Sequence, residues 1–156
     1  MTTPVPEPAL DDLYRELILD HYRHPHNRGS LEHATSRNEG YNPLCGDEIE
    51  LDLAIEDGKV QDVAFRGRGC SISQASSSMM TDAVKGQTKE AALSLIEAFK
   101  AMMLAPEKAP SAALEDLEAF QGVAKFPVRV KCATLAWHVL EEGLAKDDAE
   151  AERKEG

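Results

Sequence analysis

The chain has 156 residues, enough to bury a hydrophobic core as one domain. Its net charge of -11 argues against a nucleic-acid partner, because phosphate contacts require a basic surface. No apolar stretch approaches the roughly 18–20 residues that cross a bilayer. Residues 1–12 also lack the basic and apolar parts of a signal peptide, so we expect a cytoplasmic protein without a membrane partner.

The first predicted element is a helix. Residues 1–10 contain several prolines and predict a flexible leader. The segment DDLYRELILDHYRH then has apolar residues at helical spacing, with Asp11 or Asp12 as a candidate N-cap. Pro25 ends this helix, and residues 30–44, which include few apolar positions, are predicted to be irregular.

A β-hairpin follows. Residues 48–56 alternate between apolar and polar side chains, which predicts a half-buried strand with Asp52 on its solvent face. Asp57-Gly58 is a strong hairpin turn signal, and residues 60–66 return as the second strand.

Helical patterns occupy the rest of the chain. Ser71 or Ser73 is the candidate N-cap of one helix, and Thr88 is the N-cap of the next. The predicted helices after the hairpin are 71–84, a helix from Thr88 onward, 113–121 and 130–145. Residues 147–156 form a charged tail, which leaves 11–146 as a single domain. This order predicts an α+β fold, a small antiparallel sheet of two or three strands with about five helices on one face.

The three cysteines lie at the ends of predicted elements rather than inside apolar stripes. Cys45 precedes the first strand, Cys70 follows the second, and Cys132 falls in the first turn of the last helix. Cys45 and Asp47 are two residues apart and can face the same way in extended chain. If Cys132 packs over this end of the sheet, three sulfurs and one carboxylate oxygen converge. Such a set suits a tetrahedral ion such as Zn²⁺, and the carboxylate suggests a site that exchanges a ligand.

Other patterns allow less specific interpretations. Buried or catalytic thiols remain alternatives for the cysteines. The histidines His21, His24 and His26 could bind a metal, but basic side chains near the last carbonyls of a helix explain them more simply. The serine run at 76–78 predicts close packing against the sheet, and the methionines predict core positions.

Four segments together resemble a known family: LYRELILDHYRHPHNRG, NPLCGDEIEL, GRGCSISQASSSMMTDAVKG and FPVRVKCATLAW. They resemble the NifU N-terminal/IscU family of iron–sulfur cluster assembly proteins, and within it the SufU branch that accompanies SUF systems. The similarity runs from about Asp12 to Lys146. It implies an IscU-like fold and four metal ligands, Cys45, Asp47, Cys70 and Cys132.

The resemblance implies one of two activities. IscU-type scaffolds carry a histidine before the third cysteine and assemble a [2Fe–2S] cluster, whereas this chain has Lys131 there. SufU-type proteins bind Zn²⁺ and act as sulfurtransferase-like acceptors of persulfide sulfur from a PLP-dependent cysteine desulfurase (SufS-like). Downstream SUF scaffold proteins then receive this sulfur. Lys131 and the long Cys70-to-Cys132 separation favour the SufU type. An Fe or [2Fe–2S] scaffold remains the alternative, and a purely structural zinc site is a third.

Two residues receive roles in the resulting hypothesis. Cys45 is the expected nucleophile, freed when a histidine of the desulfurase takes its place on the zinc, and it attacks the outer persulfide sulfur. Arg129 is the expected catalytic cation, steadying the thiolates or the docked complex.

Overall fold

A computed structural model describes the backbone of residues 8–105 and 107–155 and the side chains of residues 15–105 and 107–149. Within these ranges the elements are α1 (Pro8–Arg23), β1 (Ser36–Asn42), β2 (Asp47–Glu56), β3 (Lys59–Arg68), α2 (Ser71–Val84), α3 (Lys89–Leu104), a 3₁₀ segment η1 (Ala112–Lys125) and α4 (Pro127–Glu155). The first seven residues of the predicted leader lie outside the described residues. Helix α1 begins at Pro8, before the predicted caps. None of the described helices is long and apolar enough to cross a membrane.

The three strands form one antiparallel sheet in the order β1-β2-β3. Asn42 pairs with Asp47 across the first hairpin, and Glu48 pairs with Arg68 in the second. Helix α4 packs on β1 and β2, α2 packs on β3, and α1, α3 and η1 pack on these two helices. The predicted α+β class, with a small antiparallel sheet and five helices, is confirmed.

Strand β1 lies in the segment that the sequence predicted to be irregular. Its inward positions are Asn38, Gly40 and Asn42, so the strand lacks the alternating apolar signal. A Cβ atom at Gly40 would collide with the side chain of Val139, which shows how closely α4 approaches the strand here. Asn38 instead bonds within the sheet, donating to the Leu51 carbonyl at 3.3 Å. Close packing against α4 therefore replaces the usual apolar face.

Asp52 is fully buried, contrary to the predicted solvent-facing position. The loop before β1 covers this face, and the Leu31 backbone N–H donates to Asp52 Oδ2 at 3.1 Å. Arg66 Nη1 lies 3.1 Å from the same oxygen, and Arg37 Nη1 lies 3.6 Å from it. Two cations and a backbone donor thus compensate the buried carboxylate, which the alternating pattern had predicted to face solvent.

Several element ends differ from the predictions. Strand β3 continues to Arg68, and the N-cap of α2 is Cys70 rather than a serine. Thr88 caps α3 as predicted, accepting a hydrogen bond from Ala91 N. Helix α4 begins with Pro127, a favoured first residue, so Cys132 lies in its second turn rather than its first.

Helix α4 also continues beyond its predicted end, through the charged segment to Glu155. Lys89 Nζ lies 2.7 Å from Asp147 Oδ2 and also contacts Asp148, although Lys89 itself is buried. This pairing joins the first turn of α3 to α4 at the start of the predicted charged tail.

The core lies between the sheet and the helices. Trp137 stacks on Phe99 with ring centroids 4.5 Å apart, and Phe120 meets Phe99 edge-on. Ser76 joins α2 to α4, donating to the Ala133 carbonyl at 2.6 Å and accepting from the Trp137 indole N–H at 3.1 Å. The methionines of α2 and α3 are buried as predicted: Met79, Met80, Met102 and Met103.

Candidate metal centre

The turn between β1 and β2 carries Cys45. The Asn42 side-chain oxygen accepts a hydrogen bond from Leu44 N at 3.2 Å, and the Asn42 backbone carbonyl accepts one from Gly46 N at 2.8 Å. Leu44 is 68% exposed and Cys45 is partly exposed. The turn thus holds the Cys45 thiol at the end of the sheet, where it is accessible from the surface.

Asp47 begins β2 and has no exposed surface. Its Oδ1 atom accepts a hydrogen bond from Cys70 N at 2.9 Å, which ties β2 to the start of α2. Its Oδ2 atom is buried and has no hydrogen-bond partner among the described residues. A buried carboxylate oxygen without a donor is costly unless a cation or proton compensates it. This oxygen is the strongest structural sign of a cation site.

Cys132 reaches the same point from α4 and is 1% exposed. Its Sγ atom lies 2.9 Å from Cys45 Sγ, well beyond the about 2.05 Å of a disulfide bond. The ligand atoms of Cys45, Asp47 and Cys132 all lie within 4.8 Å of one another. The structure therefore brings together three of the four predicted ligands.

Cys70 lies at the edge of this group. As the N-cap of α2 it accepts a hydrogen bond from Ser73 N at 3.5 Å, and its own N–H binds Asp47. Its sulfur is outside the set of mutually close ligand atoms found among the described residues. It is nevertheless near enough to Cys132 to affect the ionisation of that thiol. The first turn of α2 can stabilise a thiolate at this position.

The ionisation of Cys132 agrees with a site that requires a cation. Burial raises the pKa of the Cys132 thiol above its ordinary value, and the neighbouring Cys45 thiol and Asp47 carboxylate raise the pKa further. The neighbouring Cys70 acts in the same direction. Without a cation, Cys132 therefore keeps its proton at neutral pH, and a bound metal ion must displace that proton.

Arg129, the predicted catalytic cation, is not part of this cluster. Among the described residues no hydrogen bond or ion pair joins its side chain to the cysteines or to Asp47. Its exposed side chain lines a groove of about 810 Å³ beside the first turn of α2, together with Ile72 and Phe126. Arg15 and Lys125 line the same groove, so its lining combines apolar side chains with three cations.

Two supporting residues were not predicted from the sequence. Asn42 shapes the turn that presents Cys45, and its side chain is buried. A Cβ atom at Gly69 would collide with the Asp47 carboxylate, so the chain before α2 must be glycine for Asp47 to fit. The only sequence signals were a polar residue next to Pro43 and a glycine next to Cys70, neither of which specifies a metal site.

Comparisons with known proteins identify the family of this chain. The family described as NifU-like N terminal domain matches residues 13–147. The zinc-dependent sulfurtransferase SufU of Bacillus subtilis is 50% identical, over 89% of this chain and 94% of that protein. The scaffold protein IscU of Streptococcus pyogenes is 45% identical, over 88% of this chain and 86% of that protein.

A solved structure has the same fold. The SUF-system iron–sulfur cluster assembly scaffold protein of Fervidobacterium islandicum superposes with a TM-score of 0.78 at 38% identity, covering 83% of this chain and 94% of that one. The family match, over residues 13–147, includes all three cysteines and Asp47. The chain belongs to the NifU-like N-terminal domain family.

Proposed function

We propose that this protein is a zinc-bound sulfur acceptor in iron–sulfur cluster biogenesis, which takes persulfide sulfur from a PLP-dependent cysteine desulfurase onto Cys45. The observation that carries the proposal is the unpartnered, buried Asp47 Oδ2 atom beside two sulfurs, one of which is on a surface turn. The similarity to a protein named a zinc-dependent sulfurtransferase supports the same activity.

The residues Cys45, Asp47, Cys70 and Cys132 would hold the zinc. Three sulfurs and one carboxylate are donors that Zn²⁺ accepts in tetrahedral geometry. Bound zinc would keep the cysteines as thiolates while shielding them from stray oxidants and electrophiles. The Cys70 N–H bond to Asp47 fixes the orientation of the carboxylate, as hydrogen bonds to metal ligands commonly do.

Cys45 is the best placed of the three thiols to accept sulfur. Cys132 is buried, and the Cys70 sulfur caps α2. The Cys45 thiolate attacks the outer sulfur of the desulfurase persulfide, and a new S–S bond forms as the old one breaks. The electron pair of the broken bond leaves on the desulfurase cysteine as a thiolate, and Cys45 becomes the persulfide.

We assign Arg129 to docking rather than to bond making. The groove that it lines with Arg15 and Lys125 gathers three cations on a chain with a net charge of -11. Such a local reversal of charge favours an acidic partner surface beside the cysteine cluster. A desulfurase that docks there would bring its persulfide towards the exposed turn.

The direct test is single-turnover sulfur transfer from a persulfide-loaded desulfurase, with the labelled cysteine located by alkylation and mass spectrometry. We expect the wild-type protein to carry the sulfur on Cys45 and Cys45→Ser to accept none. Acceptance by Cys45→Ser at the parent rate would refute the assignment of Cys45. An unchanged zinc content after alanine replacement of each cysteine in turn would refute the zinc site.

The scaffold activity of IscU relatives is the competing function, because the same donors could hold a [2Fe–2S] cluster and an IscU protein is 45% identical. Metal and acid-labile sulfide analysis of protein purified without oxygen separates the two functions. One zinc per chain without sulfide or colour supports the sulfur acceptor. Iron with matching sulfide in a brown solution supports the scaffold.

A further inference from the structure

A second cluster of metal-ligating side chains lies away from the cysteines. His21 is in the last turn of α1, His26 lies in the turn that follows, and Asp82 is in the last turn of α2. One ligand atom from each of the three lies within 4.8 Å of the others. The helix-end interpretation of His21 and His26 missed this cluster, because Asp82 is more than 50 residues away and joins the group only in the folded chain.

The turn that carries His26 is held firmly against α2. The His26 backbone N–H donates to Ser78 Oγ at 2.8 Å. Asn27 Nδ2 donates to Thr81 Oγ1 at 3.0 Å and to Asp82 Oδ1 at 3.1 Å. The position of His26 is therefore built by contacts along two turns of α2, and one Asp82 oxygen is already oriented by a hydrogen bond.

His21 is the buried member of the cluster, with 7% of its surface exposed. Its Nδ1 atom lies 2.7 Å from Ser78 Oγ, which fixes the ring and can accept an Nδ1–H bond. This is the arrangement in which metal-binding imidazoles usually occur, with one nitrogen held by the protein and the other available. Burial lowers the pKa of His21, and the neighbouring His26 adds to the effect.

His26 Nδ1 contacts Asp82 Oδ2 directly, and the two histidine rings lie 4.4 Å apart between centroids. An ordinary ion pair explains the His26–Asp82 contact but does not explain a second, buried imidazole facing it. A divalent cation would satisfy both rings and the carboxylate at once.

A small cavity of about 160 Å³ opens beside the cluster, lined by His21, Asp82, Glu115 and Asp116 among others. Asp116 is close enough to His21 to influence its ionisation. The cavity provides room for water ligands or for a further carboxylate. The cluster thus has three fixed donors and an open side, unlike the sulfur-rich centre at the other end of α2.

We propose that His21, His26 and Asp82 form a second metal site that binds a divalent first-row transition ion such as Zn²⁺, Co²⁺ or Fe²⁺ through nitrogen and oxygen. Two imidazoles and one carboxylate with open positions suit these ions. Its α2 ligand, Asp82, lies 12 residues from Cys70 along the helix, about 18 Å at 1.5 Å per residue. The site is therefore separate from the cysteine centre and goes beyond the proposed sulfur-acceptor function.

The test uses the full chain without a histidine tag, reduced and loaded with one equivalent of Zn²⁺ to fill the cysteine centre. Titration with Co²⁺ should then bind one further ion per chain, with ligand-field bands but without a thiolate-to-cobalt charge-transfer band. No second equivalent would refute the proposal. A charge-transfer band would also refute it, because cobalt would then be at the sulfurs.

Two variants locate the second ion. Asp82→Asn and His26→Ala should lose the second equivalent and keep the first, since both side chains are about half exposed (45% and 46%) and neither is in the core. His24→Ala, which removes an exposed histidine outside the cluster, is the matched control and should keep both equivalents. A second equivalent that survives in both test variants would overturn the assignment of this site.

Discussion

At the scale of the residue, Asp47 connects the fold to the chemistry. One oxygen accepts the Cys70 N–H and the other has no donor among the described residues, although the whole side chain is buried. A protein without a ligand for that oxygen would bear an uncompensated polar atom. This pattern supports the proposed role of Asp47 as a cation ligand, in which the Cys70 N–H holds Oδ1 and leaves Oδ2 free to bind the cation.

Asp47→Asn tests this role with an isosteric side chain. The amide can still accept the Cys70 N–H, but its nitrogen cannot replace the carboxylate oxygen as a ligand. We expect zinc affinity to fall by at least the roughly 10–100-fold that removal of an outer-shell partner typically costs. Competition with a chromophoric chelator measures the change. Asp57→Asn, in the turn at the other end of β2, is the control, and equal affinities in all three proteins would contradict the assignment.

At the scale of the element, the junction between β3 and α2 shapes the site. Gly69 passes so close to Asp47 that any side chain would collide with the carboxylate, which is the movable partner in that contact. The N–H of the next residue, Cys70, then points at Asp47. The junction thus makes both the contact that positions Asp47 and the N-cap that holds the second thiol.

Gly69→Ala should therefore impair metal binding more than folding. We expect the added methyl group to displace the Asp47 carboxylate and to weaken zinc binding by about as much as Asp47→Asn does. Zinc content and thermal unfolding of the same preparation report the two effects separately. Gly122→Ala is the control, since its Cβ would meet open space. Normal zinc affinity in Gly69→Ala would show that the contact does not position Asp47.

The pairing of α2 with α4 depends on Ser76, which contacts both the Ala133 carbonyl and the Trp137 indole. Ser76→Ala should lower the free energy of unfolding by about 1–3 kcal/mol, because the buried indole N–H loses its partner. Urea unfolding measures this loss. In a Trp137→Phe background the same substitution should cost less, since no N–H is left unpaired. Equal costs in the two backgrounds would show that the hydrogen bond contributes nothing.

At the scale of the whole molecule, the cysteine centre joins separate parts of the chain. Cys45 and Asp47 come from the first hairpin, Cys70 from the start of α2, and Cys132 from α4. A metal ion bound by these residues would cross-link the sheet to two helices. Metal binding and stability of the fold should therefore be coupled.

Removal of zinc should consequently lower the melting temperature. At free zinc 100 times its dissociation constant, the bound ion stabilises the fold by about 2.7 kcal/mol. Calorimetry before and after chelation, with readdition of zinc, measures the difference. A chelated protein that melts at the same temperature as the zinc-loaded one would show that the centre is not coupled to folding.

The raised pKa of Cys132 gives this coupling a pH dependence. In the metal-free fold the thiol keeps its proton through neutral pH, and zinc must displace that proton. Zinc affinity should therefore rise as pH rises through the neutral range towards the raised pKa. Titration calorimetry in buffers of different ionisation enthalpy should detect proton release on binding. Zinc binding without proton release would contradict the protonated state of the metal-free centre.

Local sequence determined the elements whose signals lie within a few residues. The alternation of β2 and the Asp57-Gly58 turn predicted the second hairpin, and Thr88 predicted the start of α3. The cysteines at element ends predicted a shared site, and three of the four expected ligands do converge. These features follow from backbone propensity and side-chain period, which neighbouring residues are sufficient to specify.

Only the tertiary structure decided features made by distant segments. Strand β1 pairs with β2 and packs closely against α4 at Gly40, and the buried Asp52 is compensated by Arg37 and Arg66. The joining of His21 to Asp82 likewise depends on α1 packing against α2. In each case a polar or small residue owes its position to a partner many residues away. Its own sequence neighbourhood has no means of specifying that contact.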